Sequence, residues 1–159
     1  SLDGPGRIVM ATVLDVQAGE AHGAPAVHHI AGLGEIYRHE RLPDGRFLIL
    51  LAGLMRVMIR EVPSDKPYRR VEAVPLREQP CANERESALR CTLMRAVLAR
   101  AKEPLELPPD MPLGQLVDLL LLRLELPART MLELFSITGI EERAAKALHE
   151  HDVRPRPKC

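Results

Sequence analysis

The sequence has no net charge and few aromatic residues. Both shortages argue against nucleic acid as a partner, and the lack of net charge also argues against an anionic membrane. Its 22 Lys and Arg balance 22 Asp and Glu among 159 residues. A neutral chain has no overall field that draws it to nucleic acid or to an anionic membrane. With no Trp and only two Tyr and two Phe, it also offers little aromatic surface on which bases can stack. We therefore expect a partner to be recognised through shape and apolar contact, and nucleic acid is disfavoured.

Cysteines and long apolar runs are scarce as well. Cys81, Cys91 and Cys159 are an odd number without metal-ligand spacing, which argues against a secreted disulfide framework and fits a reducing cytoplasm. The longest apolar run, residues 116–122, contains Asp118 and falls short of the roughly 20 residues that cross a bilayer. The start of the sequence lacks the features of a signal peptide. We expect a cytoplasmic protein without a membrane segment, and because the sequence lacks a starting Met, we expect a fragment, a processed product or the ordered part of something longer.

The spacing of apolar residues changes near residue 80. Before that point, short apolar runs bounded by Gly, Pro and Asp predict strands joined by turns. After it, the apolar period becomes about 3.6 residues, which is typical of amphipathic helices. We predict an α+β chain with a β-rich part at residues 1–79, a helical part at residues 80–153 and a flexible tail at residues 154–159.

The β-rich part contains one clear turn and one unusual strand. Asp44 and Gly45 supply the backbone freedom of a tight hairpin. Residues 47–51 are apolar at both alternations, which predicts a strand buried on both faces. In the next run, Val57 and Ile59 are expected on the face opposite Arg56, Met58 and Arg60, and one of these two faces is expected to meet the core. The predicted strands are Arg7 to Leu14, Val27 to Ala31, Gly34 to Leu42, Arg46 to Ala52, Leu54 to Glu61 and Tyr68 to Leu76.

Four helices are predicted in the second part. They run from Asn83 to about Ala101, from about Asp110 through Leu124, from Pro127 to about Phe135, and from Thr138 onward. Asn83 with Glu86, and Thr138 with Glu141, have the spacing of a capping box. The second helix has the clearest apolar stripe and is expected to be the most buried. That stripe consists of Leu113, Leu116, Val117, Leu120, Leu121 and Leu124.

The stretch GEIYRHERLPDGRFLILLAGLMRVMI at residues 34–59, with the later Pro67–Tyr68 pair, resembles the N-terminal substrate-binding domain of the Lon protease family. Residues 126–145 resemble the helical region of that family. The resemblance implies a PUA-like β pseudobarrel, a C-terminal helical bundle and capture of unfolded or damaged proteins. It also marks Gly45, Gly53, Arg56 and Tyr68 as structural motif residues.

Two departures from the Lon family pattern are visible. The family's opening strand has no counterpart at the start of the sequence, so a barrel built from these residues is expected to have an unpaired edge. The sequence also ends before the ATPase and Ser-Lys peptidase parts of a full-length Lon protease. We therefore expect a stand-alone recognition module and no enzyme.

Peptide capture requires exposed apolar side chains, and Phe47, Met55 and Met58 are the candidates. Burial in the core is the alternative for all three, and it is favoured because most apolar strand residues are buried. A second possibility is an adaptor that docks one folded protein through apolar stripes of the helices. The oligomeric state is left open by the sequence.

Other kinds of site have weaker support. Ser64 and Lys66 form a catalytic pair only if a scaffold positions them, and a solvated loop is favoured. No phosphate-binding Gly-rich motif is present, so no nucleotide cofactor is expected. The possible metal ligands are His22, His28, His29 and His39, but adjacent His28 and His29 are expected to point to opposite strand faces. The possible RNA-binding strip consists of Arg56, Arg60, Arg69 and Arg70.

Overall fold

The computed structural model describes residues 6–14 and 25–155. The chain divides between Leu76 and Arg77 into two compact units, the first formed by strands and the second by helices. This arrangement confirms the predicted α+β class. Within the described ranges, no helix has the length and apolar character needed to span a bilayer. His22, one of the possible metal ligands, and Cys159 lie outside the described residues.

The first unit contains an antiparallel sheet of four strands in the order β1-β2-β3-β4. The strands are β1 (Arg7–Met10), β2 (Ile30–Arg41), β3 (Phe47–Val62) and β4 (Arg70–Pro75). Over residues 6–14 and 25–155 the sheet is open, so the closed pseudobarrel implied by the family resemblance is not seen there. Six strands were expected, but four of them join in pairs into β2 and β3. The β2–β3 pairing has two register shifts, one between Leu33 and Gly34 and one between Ile36 and Arg38, as β-bulges produce.

The predicted hairpin turn joins β2 to β3. The Leu42 N–H donates to the Arg46 carbonyl at 2.8 Å, and the Gly45 N–H donates to the Leu42 carbonyl at 3.0 Å. Gly45 has a φ of 85°, a conformation that a residue with a Cβ rarely adopts. Asp44 accepts hydrogen bonds from the side chain and the backbone N–H of Arg46, which lower the pKa of its carboxyl group. The Asp-Gly prediction is therefore confirmed.

The core of the sheet is small and lies at one end of the long strands. Ala31, Val57 and Ile59 are its buried members. Of the two faces of this part of β3, the one that carries Val57 and Ile59 is therefore the face that meets the core. Around them pack the partly buried apolar residues Val9, Ala11, Val27, Leu33 and Val71.

The prediction for residues 47–51 is wrong. Phe47, Leu48, Ile49 and Leu50 are all exposed, and Leu51 is only partly buried. In the described part of the chain, β2 is the only strand that pairs with β3 along this stretch. A run of apolar residues indicates a strand that is able to be buried on both faces, but burial also requires neighbouring layers.

All four predicted helices are present, in the order α1 (Asn83–Leu98), α2 (Leu113–Leu122), α3 (Ala128–Ser136) and α4 (Ile140–Val153). The predicted stripe of α2 is confirmed, because its five helical members and Leu124 just beyond are buried. Leu93 and Val97 of α1 and Ala144 and Ala147 of α4 complete much of this core.

Both capping-box predictions are wrong. Asn83 lies inside α1, and neither Ala82 before α1 nor Gly139 before α4 makes a side-chain capping bond. Glu141 instead reaches from α4 to the start of α1, where its carboxylate accepts a hydrogen bond from the Ala82 N–H at 2.9 Å. The other oxygen of Glu141 pairs with Arg85 at 3.1 Å. Tertiary contact thus replaces the local cap that the sequence spacing indicates.

A buried cation connects three segments of the helical unit. Arg143 of α4 is fully buried, and its Nη2 donates to Glu78 at 2.7 Å and to the Gly114 carbonyl at 3.4 Å. Its Nη1 lies 3.5 Å from the carboxylate of Asp118 on α2. A Cβ on Gly114 would lie 2.6 Å from Glu78, so the absence of a side chain at residue 114 makes room for the ion pair.

A second buried cation closes the far end of α4. Arg100 donates from Nε to the His151 ring at 2.7 Å and from Nη2 to the His151 carbonyl at 2.7 Å. The same guanidinium reaches the Arg154 carbonyl at 3.1 Å. Arg100 therefore satisfies carbonyl groups that the end of a helix leaves without intrahelical donors.

Replacing Arg143 with Ala is expected to lower the free energy of unfolding by about 2–4 kcal/mol, because a large void and a broken ion-pair network result. Urea denaturation measures the loss. Arg129→Ala is the matched control, because Arg129 pairs with Glu133 on the surface and such pairs contribute little. Similar losses in both variants would contradict a structural role specific to Arg143.

Glu141 is expected to make stability depend on pH. The Ala82 N–H, then Cys81 and Arg85, hold the pKa of its carboxyl group below the ordinary 4.5. A lowered folded-state pKa contributes stability above about pH 4.5 that is lost as pH falls through the folded-state pKa. Glu141→Gln should therefore lower Tm near neutral pH, and the difference from the unaltered protein should shrink in acid. A gap that stays constant down to pH 3, or an equal effect of Glu133→Gln on the surface of α3, would contradict this role.

Candidate protein-binding surface

Exposed apolar side chains are concentrated in the sheet unit. Of the sixteen large apolar residues that are exposed in the described part of the chain, thirteen lie before residue 77, although this unit holds about half of the chain. Isolated apolar residues on a surface are ordinary, whereas a contiguous group of them indicates a site of interaction. The sheet unit is therefore the candidate region for protein binding.

Four consecutive exposed apolar residues, Phe47 to Leu50, lie on a two-stranded extension of the sheet, which we call the ribbon (residues 38–50). β1 pairs with β2 only through Gly32–Glu35, and β4 pairs with β3 only through Val57–Val62. β2 and β3 continue together well beyond both neighbours, as far as the hairpin turn. Within the ranges that the structure covers, the ribbon thus has no paired strand on either side.

The two strands of the ribbon differ in character. Its β3 side is apolar, and its β2 side is charged or polar. The opposed pairs are Phe47 with Arg41, Leu48 with Glu40, Ile49 with His39, and Leu50 with Arg38. Opposed residues share a face, so Phe47 and Ile49 project from one face and Leu48 and Leu50 from the other. On each face, the apolar surface is therefore one strand wide and is flanked by ionisable side chains.

The three residues predicted for peptide binding are all accessible. Phe47, Met55 and Met58 are 46%, 49% and 50% exposed, so the alternative that they form the core is wrong. They do not converge on one pocket, because Met55 and Met58 are three positions apart on a regular stretch of β3 and face opposite sides. Phe47 lies eleven residues from Met58, a separation of roughly 35 Å along an extended strand.

The four motif residues occupy different places in the sheet unit. Gly45 forms the hairpin turn, and Gly53 lies opposite Gly34 in open space, where a Cβ would meet nothing within 4 Å. Arg56 is buried, and its carbonyl accepts a hydrogen bond from the Leu76 N–H at 2.9 Å at the end of β4. Tyr68 is exposed.

Two of the four arginines in the proposed basic strip pair with acidic side chains. Arg60 pairs with Glu72 at 2.5 Å, and Arg69 pairs with Glu61 at 2.5 Å and also donates to the Pro25 carbonyl. The Arg69 guanidinium lowers the pKa of the Glu61 carboxyl group. With Arg56 buried as well, three of the four arginines are ion-paired or buried, which argues against a row of cations that contacts a phosphate backbone.

The other candidate sites are not assembled as their chemistry requires. The Ser64 hydroxyl accepts a hydrogen bond from the Lys66 backbone N–H at 3.1 Å, in an exposed loop. His28 and His29 were expected on opposite faces, but they precede β2 and their rings stack at 4.5 Å. Among the residues described, no group of three His, Cys, Asp or Glu side chains is arranged to hold a metal ion.

A cavity of about 790 Å³ lies in the helical unit where α1, α2 and α4 end. Its basic residues include Lys102, Arg123 and Arg154. Helix C-termini carry partial negative charge, which cations stabilise. Arg154 also pairs with Glu150, and Lys102 lies 4.0 Å from Glu125. These cations therefore have a structural explanation in the helix ends and the nearby acids.

Comparison of the sequence with known protein families shows which kind of domain the chain is. The sequence matches the substrate-binding domain of ATP-dependent protease La (LON) over residues 2–150. The class is thus a substrate-recognition domain. Because the match covers most of the sequence, the chain belongs to the Lon substrate-binding domain family. No curated protein matches the sequence at a significant level.

Two solved structures share the fold. The N-terminal domain of the Lon protease of the Mycobacterium avium complex is 15% identical, with a TM-score of 0.60, and the alignment covers 95% of this chain and 92% of that one. A Lon N-terminal domain protein from Xanthomonas campestris is 18% identical, with a TM-score of 0.52 and coverage of 91% and 90%. At these identities, the similarity establishes the fold alone.

The exposure of the ribbon is measurable without a ligand. Leu48→Thr should change the free energy of unfolding by less than about 0.5 kcal/mol, because Leu48 is exposed. Val57→Thr should cost about 1–3 kcal/mol, because it places a hydroxyl group in the buried core. Denaturant unfolding of both variants makes the comparison. A larger loss for Leu48→Thr than for Val57→Thr would show that the ribbon is covered in solution.

Proposed function

We propose that this chain is a non-catalytic protein-recognition module that binds unfolded or damaged polypeptide segments, in the setting of ATP-dependent proteolysis. The exposed apolar side chains of the ribbon carry this proposal. An unfolded protein differs from its native form mainly in exposing apolar segments, and the ribbon provides apolar contacts for them. Membership of the Lon substrate-binding domain family supports the same role.

The proposed contacts include Phe47, Met55 and Met58. Methionine side chains are flexible and polarisable, so they adapt to different apolar partners. This property suits a module that binds many sequences without strict specificity. Because the three residues are spread along β3, we assign them to an extended contact surface and not to a pocket for one side chain.

The proposal also covers the cellular location, the fold origin and the excluded partners of the domain. We propose a cytoplasmic location and a PUA-like origin for the sheet, with no cofactor and no membrane or nucleic-acid partner. An adaptor that docks one folded protein is the alternative, and it requires apolar stripes of the helices to be accessible. In α2, the side chains of that stripe are used in the core of the helical unit, so they do not provide a docking surface.

Binding of a reduced and alkylated, permanently unfolded protein tests the proposal against binding of the same protein in native form. The unfolded form should bind at least about tenfold more tightly, a difference of about 1.4 kcal/mol. Replacing Leu48 and Leu50 together with Ser should weaken this binding. Leu122→Ser, at an exposed apolar residue of the helical unit, is the control and should have no effect. Equal binding of the two forms, or none, would eliminate this function.

A further inference from the structure

The outer edge of β3 has an open position beside residues 47–55. β4 occupies the same edge further along, where it pairs with Val57–Val62. The last bond from that side joins the Leu76 N–H to the Arg56 carbonyl. No strand among the described residues pairs with this edge between Arg56 and the hairpin turn. The position beside residues 47–55 of β3, which β4 would occupy if it were longer, is therefore not filled by a strand among the described residues.

Backbone groups of β3 point into this position. Leu42 and Arg46 form the hydrogen-bonded pair that closes the turn. In an antiparallel ladder, hydrogen-bonded and non-hydrogen-bonded pairs alternate, so Phe47 and Ile49 direct their N–H and C=O groups away from β2. These groups form ladder bonds with any strand placed beside β3.

The chemistry of the edge selects the kind of strand that fits. Residues 47–55, FLILLAGLM, contain no ionisable side chain, whereas the ionisable residues of the ribbon lie on β2 and in the turn. A strand beside β3 would have only apolar cross-strand neighbours over about 30 Å. A charged strand would lose hydration there without gaining an ion pair. An uncharged, apolar strand matches this edge.

The ribbon geometry also distinguishes edge binding from binding on a face. Apolar side chains project from both faces, with Phe47 and Ile49 on one and Leu48 and Leu50 on the other. A ligand lying on one face would contact only half of them and would cover ionisable residues of β2. A strand at the edge reaches the apolar side chains of both faces and the backbone groups together.

We propose that an extended, uncharged and apolar stretch of an unfolded polypeptide adds to the outer edge of β3 as an extra strand of the sheet. This inference rests on the proposed function and specifies its mode of binding. Main-chain hydrogen bonds provide affinity that does not depend on sequence, and apolar side chains on both faces provide the preference for uncharged segments.

A peptide pair tests the role of the backbone with the protein unaltered. The probe is a fluorescent, end-blocked peptide of alternating valine and leucine with two lysines at each end, titrated with the full chain. Its partner carries N-methyl groups on alternate residues, which remove the donors of one edge but keep the side chains. We expect the methylated peptide to bind at least about tenfold more weakly, as for the loss of several ladder hydrogen bonds.

Two variants test the same edge from the protein side. Ile49→Pro removes an outward N–H, and proline is tolerated at sheet edges. Ile49→Ala removes most of the side chain and keeps the N–H. We expect Ile49→Pro to weaken peptide binding at least about tenfold and Ile49→Ala to weaken it less, with circular dichroism and Tm confirming that both variants fold.

The outcomes separate this inference from the proposed function. Equal binding of the plain and methylated peptides would overturn strand addition, while selective binding of the unfolded protein would keep the function. Equal losses in the two Ile49 variants would also overturn it, because the contact would then be made by side chains alone. If neither peptide nor unfolded protein binds, both proposals fail. A dimer in sedimentation that only Ile49→Pro dissociates would assign the edge to a second copy and overturn the inference.

Discussion

The pairing of β2 with β3 is the interaction on which the sheet unit and its candidate surface depend. β1 attaches to one strand of this hairpin and β4 to the other, each along only part of its length. The turn at Asp44 and Gly45 keeps the two long strands in register beyond these neighbours. The ribbon exists because of this difference in length, and its apolar strand is accessible because no further strand or layer among the described residues covers it.

The helical unit depends on a different constraint, the burial of a charged side chain. Fully buried arginine is costly unless acids and carbonyl groups surround it. Glu78 and Asp118 supply the acids. Their ion pairs with Arg143 fix the positions of the two segments that carry them relative to α4. The apolar stripe of α2 provides most of the buried surface, while Arg143 restricts how the segments around it are able to pack.

Features set by neighbouring residues in the chain were predictable from the sequence. The Asp44–Gly45 turn follows from local backbone preference, and the stripe of α2 follows from helical periodicity. Features set by distant segments were not. The exposure of residues 47–51 depends on where β1 and β4 end, and the start of α1 is capped by Glu141, 59 positions from the Ala82 that it contacts. Arg143 lies in residues 126–145, which resemble the helical region of the Lon family, but its burial follows only from the tertiary structure.

Gly114 links the sequence of the helical unit to its buried ion pair. Any side chain at residue 114 would meet the carboxylate of Glu78 and approach the guanidinium of Arg143. A substitution at residue 114 alone would therefore displace the carboxylate of Glu78, which pairs with Arg143. Among relatives that keep this arrangement, positions 78, 114 and 143 should covary as a set, with a larger residue at 114 accompanied by a shorter or neutral partner at 78.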